Sequence, residues 1–242
     1  MYYKNNKLIF SPSDLTTYWE SEYASWMDRY NLEKPGQVKK DPDDEMMKVL
    51  QEKGYKHEKK VLEKMGAEGL DIKTIDSSSL NLIEDTITAL KEGHDIIYQG
   101  KLQDEHFTGY SDFLVKVGGD SKLGNYHYEV WDTKLASKMK PYFVIQLCAY
   151  SEMLATIQGC LPKDLVVLLG NGDKKRLVIH DYIYYYRSLR KRFLDFQASF
   201  DPAARYTPER SRSYGKWERH AKQQIIDTDS LMQVANISKN QA

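Results

Sequence analysis

The sequence predicts an α/β protein, on three observations. Three strand-like runs follow one another between residues 95 and 136, crowded with aromatic and β-branched residues. Apolar residues recur at helical spacing on either side of them, over 79–91 and 141–158. Two more strand-like runs, 165–169 and 176–180, come after the second of these helices, so strands and helices alternate along the chain. At 242 residues the chain can bury one good core with some tail left over.

From the start, Phe10-Ser11-Pro12-Ser13-Asp14 reads as a helix opening, with Ser11 as N-cap, Pro12 at the first helical position and Asp14 closing a capping box. That helix is expected to reach about Tyr30, with Leu15, Tyr18, Tyr23 and Trp26 on or near its buried face. Glu33-Lys34-Pro35-Gly36 then breaks it. A second helix is expected over 41–65, where Met46, Met47, Leu50, Val61 and Leu62 recur at helical spacing and Gly54 weakens the middle. Residues 71–75 suit a short strand. Residues 79–91 suit an amphipathic helix with Leu80, Leu82, Ile83, Ile87 and Leu90 as its apolar contacts.

Strands are expected over 95–102, 107–117 and 128–136. The turn chemistry of Gly118-Gly119-Asp120-Ser121 pairs the last two as an antiparallel hairpin. Pro141 opens a helix to about Gln158, and Gly170-Asn171-Gly172-Asp173 turns between the two later strands. A helix over 182–200 follows. Beyond Asp201-Pro202 the pattern thins to short helices in a small, loosely packed appendage. There is no internal repeat and no low-complexity segment.

The chemistry gathers on the run Tyr128-Glu-Val-Trp-Asp-Thr-Lys-Leu-Ala136. Side chains on a strand alternate between faces, so Asp132 and Lys134 point the same way. A carboxylate there can hold a divalent cation while an ammonium steadies a water or phosphate oxygen beside it. Exposed strands also carry such pairs as a solvated ladder. Asp112 lies on the preceding strand, in Gly109-Tyr-Ser-Asp112. Paired strands lie about 5 Å apart, so carboxylates at matching heights could share a cation. Without one, at least one of the two acids should have a raised pKa; a plain surface Asp in a hairpin fits the residues equally well. His57, inside the expected 41–65 helix, could be a ligand, although lone helical histidines are more often packing or surface residues. Gln146 and Tyr150, four apart on the Pro141 helix, share a face. They could contact a phosphodiester, or be an exposed Gln and a core-flanking Tyr.

Composition excludes some classes. Lys plus Arg equals Asp plus Glu, 35 against 35, so global charge does not point to nucleic acid. Between Lys174 and Lys222, however, 13 Lys or Arg face 5 Asp or Glu, which suits a phosphate-facing surface or a solvated helix face. Two cysteines, Cys148 and Cys160, are too few for a disulfide framework and fit a reducing cytoplasm. No apolar run is long enough to span a bilayer, and Met1-Tyr-Tyr-Lys-Asn-Asn-Lys lacks a signal peptide's apolar segment. The expectation is a cytoplasmic protein without membrane contact.

The order His57-Glu58, Gly109-X-X-Asp112, Asp132-X-Lys134, Gln146-X-X-X-Tyr150 resembles the RecB-like branch of the PD-(D/E)XK nucleases. More narrowly, it is similar to the nuclease domains at the front of large helicase-nuclease polypeptides, which Phe10-Ser-Pro-Ser-Asp-Leu15 also matches. The resemblance covers roughly residues 8–200, with a weaker echo at Asp227–Ala235. It implies a restriction-endonuclease-like fold, a central mixed sheet flanked by helices, as a nuclease domain over 1–200 with a helical appendage over 201–242. It implies Mg2+ or Mn2+ held by His57, Asp112, Asp132 and the backbone carbonyl of Thr133. Asp112, Asp132 and Lys134 would be the catalytic residues, with Lys134 positioning or helping to deprotonate the attacking water. Gln146 and Tyr150 would support the site or touch DNA. The expected partners are DNA, as single strands or duplex ends, and a helicase in cis or in trans, in repair, recombination or defence.

Many relatives hold an iron–sulfur cluster through cysteines. Here Ser211, Tyr214 and His220 stand in the later cysteine slots and the first helix has none, so no cluster is expected and packing around Trp217 must hold the appendage. The alternatives to a nuclease are a catalytically silent DNA-binding or assembly module on the same fold, or an unrelated α/β protein. The hydrolase reading hangs on an imidazole meeting both acids around one ion.

Overall fold

The computed structural model describes residues 1–42, 44–208, 211 and 213–233. Its main feature is a six-stranded mixed sheet flanked by helices. The chain divides into two compact units. One comprises Met1–Leu8, Ser13–Asp44 and Ser188–Ala242; the other comprises Ile9–Pro12 and Glu45–Arg187 and carries the six-stranded sheet. The chain from Ser188 on is thereby grouped with the N-terminal helices.

In chain order, β1 (Tyr2–Lys4) and β2 (Lys7–Ile9) form a small ribbon that the sequence did not signal. Asn5 and Asn6 turn it with φ of 50° and 61°, the left-handed geometry a two-residue hairpin loop needs. The helix expected to reach Tyr30 is two helices, α1 (Pro12–Glu20) and α2 (Glu22–Glu33). Ser21 separates them: its backbone is extended, and its hydroxyl accepts from the Ala24 N–H as the N-cap of α2. Leu15, Tyr18, Tyr23 and Trp26 are all buried.

The sheet unit begins with α3 (Glu45–Ala67), β3 (Ile72–Thr74) and α4 (Leu82–Glu92). Val61 and Leu62 of α3 pack on buried Met65, Ile96, Tyr98 and Phe113. Met46, Met47 and Leu50 are exposed, against expectation, and so is Leu80, which lies outside α4. Next come β4 (Ile96–Gln103), β5 (Thr108–Ser121) and β6 (Gly124–Lys134), a meander paired antiparallel throughout. β5 runs through Gly118–Ser121, and the turn falls at Lys122-Leu123 after a register irregularity. Then α5 (Pro141–Gln158) crosses to β7 (Asp164–Leu169), which lies parallel to β6, and β8 (Lys174–Val178) closes the edge.

The order β3-β4-β5-β6-β7-β8 puts β6 inside the sheet, paired on both edges. Its near-continuous burial from Tyr128 to Asp132 follows from that position. α6 (Ile183–Ala198) and α7 (Glu218–Asp227) follow, with a short 3-10 turn at Leu231–Gln233. Among the described residues, no helix is long and apolar enough to cross a membrane.

Candidate active site

Asp112, Asp132 and Lys134 come together where β5 and β6 part. Regular pairing of these strands begins at Phe113↔Trp131, one residue inside both acids. Beyond that point the Asp112 side chain takes the place of a ladder partner. Its Oδ2 accepts from both the N–H and the hydroxyl of Thr133, each at 2.9 Å. In an extended strand the N–H and C=O of one residue project to the same edge. The Thr133 carbonyl therefore shares the edge that faces Asp112.

Asp132 is buried, and its Oδ2 lies 2.7 Å from Lys134 Nζ. That contact is an ion pair whose angles fall short of a regular hydrogen bond, with the Asp112 carboxyl close enough to interact with Asp132 as well. Burial first, and Asp112 second, push the Asp132 carboxyl up to about 7, the raised acid expected of two carboxylates sharing one place. Burial pulls the Lys134 ammonium down, but the two acids outweigh it and its pKa is raised. Lys134 is therefore a held cation. Its Nζ also lies 5.4 Å from the Phe143 ring centroid of α5, which walls that side.

Tyr150 of α5 reaches the same place. Its hydroxyl is pushed above its ordinary range by burial and then by Asp132 and Asp112. Gly109 makes room for it: a Cβ there would stand 2.9 Å from Tyr150 Cε1 and 3.0 Å from its hydroxyl. Gly109 of one motif and Tyr150 of the other are thus in contact. Gln146, one turn earlier on α5, is half-buried, and no hydrogen bond ties it to the acids.

His57 lies against β7. Its Nε2 lies 3.4 Å from the Leu168 carbonyl oxygen, and its ring lines a cavity of about 310 Å³ with Val61, Met65, Trp131 and Lys174. The residue that faces the cluster is Glu58. Burial raises its carboxyl pKa, Asp112 raises it further, and Lys134 draws it back. Successive residues on a helix point about 100° apart, so only one of the pair His57-Glu58 can face the acids. Among the described residues no group of three His, Cys, Asp or Glu side chains is arranged to hold a metal ion, neither the two acids with His57 nor the two acids with Glu58.

Part of the basic stretch is paired with acids in place. Arg176 pairs with Glu129 and Asp164, Arg187 with Glu152, Lys191 with Asp195 and Lys222 with Glu218. Lys174 lies 3.6 Å from the Trp131 ring centroid. Arg210 and Arg212 fall outside the described residues. Two cation–ring pairs elsewhere were missed by the sequence reading. Lys101 of β4 caps Tyr110, two residues before Asp112, at 3.9 Å, and Lys140 lies 5.8 Å from the Tyr142 ring at the start of α5.

Of the residues in the relatives' cysteine slots, Tyr214 is buried edge-on against Tyr23, Ser211 bonds the Glu20 carbonyl at 2.8 Å, and His220 lines an open cavity with Lys40 and Arg219. The Asp227–Ala235 echo is described only as far as Gln233.

No family model matches this chain, and no curated protein matches it at a significant level.

Proposed function

We propose that this chain is a divalent-metal-dependent deoxyribonuclease of restriction-endonuclease-like fold, in line with its resemblance to the RecB-like PD-(D/E)XK enzymes. The observation that carries the reading is buried Asp132. Its Oδ2 lacks an aligned donor beside a second acid and a held ammonium. Burying a carboxylate so incompletely satisfied is costly, and a cation relieves that cost. The ligands offered are all oxygens, as a hard cation prefers: Asp112, Asp132, the Thr133 carbonyl and Glu58 in place of His57. Bound Mg2+ or Mn2+ would supply Lewis acidity and charge neutralisation at the phosphate.

The chain's own groups do the rest. Lys134, kept protonated by two acids, donates to a water or phosphate oxygen; its raised pKa makes it a poor base and a good electrostatic stabiliser. Phe143 and Tyr150 wall the pocket against water, which strengthens each charge within it. Lys101–Tyr110 and Lys140–Tyr142 each offer a ring and a cation, a pairing suited to a nucleic-acid strand.

The test is cleavage of plasmid and linear single-stranded DNA in Mn2+ by the full chain. Asp132→Ala and Lys134→Ala should each lower the rate about a hundredfold or more. Glu58→Gln should lower it strongly, while His57→Asn should stay close to wild type. One observation favours a second reading, a silent DNA-binding or assembly module: no three-ligand group stands ready among the described residues. DNA binding without cleavage in any metal would select that reading.

A further inference from the structure

The middle of β4 breaks its own geometry at one residue. Gln99 has φ +57°, the left-handed region that side chains other than glycine, asparagine and aspartate rarely enter. It is not at a strand end or a turn. Tyr98↔Phe113 and Gly100↔Ser111 pair regularly on either side of it, so the departure is confined to this residue. Between those two pairs Gln99 stands across from Asp112. Its side-chain amide donates to Glu58 Oε1, and Tyr98, its neighbour, also hydrogen-bonds Glu58.

A residue in a sparsely populated conformation persists only where its surroundings hold it there, and such residues cluster at working sites. Here the contact made by the unusual backbone is the one that aims a carboxylate. Left to itself, Glu58 is on a helix, half-buried, and repelled by Asp112. An extended residue at position 99 would send its side chain to one face of the sheet in step with the ladder. The left-handed turn releases Gln99 from that alternation and lets its amide meet Glu58 beside Asp112.

We propose that Gln99 is a positioning residue: its left-handed backbone presents an amide that holds the Glu58 carboxylate at the acid cluster, as the partner that orients an outer ligand. The inference rests on reading that cluster as a cation-binding nuclease site. It adds a specific device, since strain in β4 is retained because it fixes the third acid. An amide suits the task because it donates without bringing a charge, so it does not compete with the cation for the carboxylate.

Fold and site can be separated experimentally, because glycine adopts φ +57° without strain. The melting temperature of the full chain is measured without metal, and separate folded samples are titrated with Mn2+ by calorimetry. Gln99→Gly should melt at or above the wild-type temperature yet bind Mn2+ about tenfold more weakly. Gln99→Asn, which tolerates the left-handed region but falls one methylene short of Glu58, should fold and bind equally weakly. Glu58→Gln should weaken binding comparably, and Gln99→Gly added to it should weaken it no further. A residue that merely shaped the strand would lower the melting temperature and leave Mn2+ affinity alone. Wild-type affinity in Gln99→Gly or Gln99→Asn, or losses that add fully with Glu58→Gln, would overturn this inference while the nuclease reading stands. No Mn2+ uptake by the wild type would overturn both.

Discussion

Asp132 carries a cost that its neighbours only partly offset. With its folded pKa pushed up to about 7 by burial and Asp112, against an ordinary 3.8 when unfolded, the folded chain binds a proton that the unfolded chain has released. Between those values the unfolded state holds fewer protons, so stability falls as pH rises and levels off above about 7. The whole effect is at most on the order of 4 kcal/mol, at about 1.36 kcal/mol per unit. Asp132→Asn has no proton to lose. In metal-free protein its melting temperature should gain on wild type as pH is raised from 5 to 8. A difference that stays constant across that range would mean Asp132 ionises freely and the site is wetter than its burial implies. Much of this cluster was legible in the sequence, because strand alternation fixes the common direction of Asp132 and Lys134, and helical spacing fixes that of Tyr150. The choice between His57 and Glu58 was not. A one-residue ambiguity on a helix is a 100° rotation, and only packing on β4 resolves it. Gln99 was also invisible, since nothing in a Tyr-Gln-Gly run announces a left-handed glutamine.

At the scale of elements, the site depends on how the chain leaves β6. Straight after Lys134 the backbone turns and runs past the end of β7, where the Gly170 N–H bonds the Ala136 carbonyl at 3.2 Å. A Cβ on Gly170 would lie 2.3 Å from the Leu135 carbonyl oxygen, and that obstacle is backbone, which cannot swing aside as a side chain does. Gly170→Ala should therefore cost about 3 kcal/mol, at the upper end for overpacking, and should loosen Lys134. Urea unfolding would measure it, and a variant as stable as wild type would show that this crossing has slack. The strands and α5 could be read in advance because their signals are local. Pro141 opens α5, Gly159 closes it with φ 76°, and alternation marks β6. The break at Ser21 could not, since the apolar spacing continues through it and a serine N-cap inside a helical pattern is silent. Met46, Met47 and Leu50 misled for a related reason. Helical periodicity identifies an apolar face but does not say that anything covers it.

Across the whole chain, two cores are built from interleaved segments, and the C-terminal residues are the clearest case. Trp217 is fully buried among Tyr23, Ala24, Trp26, Met27, Tyr214 and Ala221, so segments some 190 residues apart share one aromatic cluster. Its indole N–H donates to Asp28 Oδ1 at 3.0 Å, and Lys40 lies 5.3 Å from its ring. Burial raises the Asp28 carboxyl while the indole and Lys40 draw it back, so the tryptophan both fills space and satisfies an acid. Neither the resemblance nor the thinning pattern after residue 201 conveyed this, because a core assembled from distant segments leaves no local periodicity. Trp217→Ala removes the ring and strands the carboxylate, at a cost of about 3–5 kcal/mol. Since the acid cluster belongs to the unit of Glu45–Arg187, with its own buried sheet, the loss should be confined. Hydrogen exchange should show protection falling over 13–33 and 217–227 while 96–134 stays protected. Protection lost evenly over both sets would mean that the chain unfolds as one cooperative body, and that the pocket around Asp132 depends on the aromatic cluster after all.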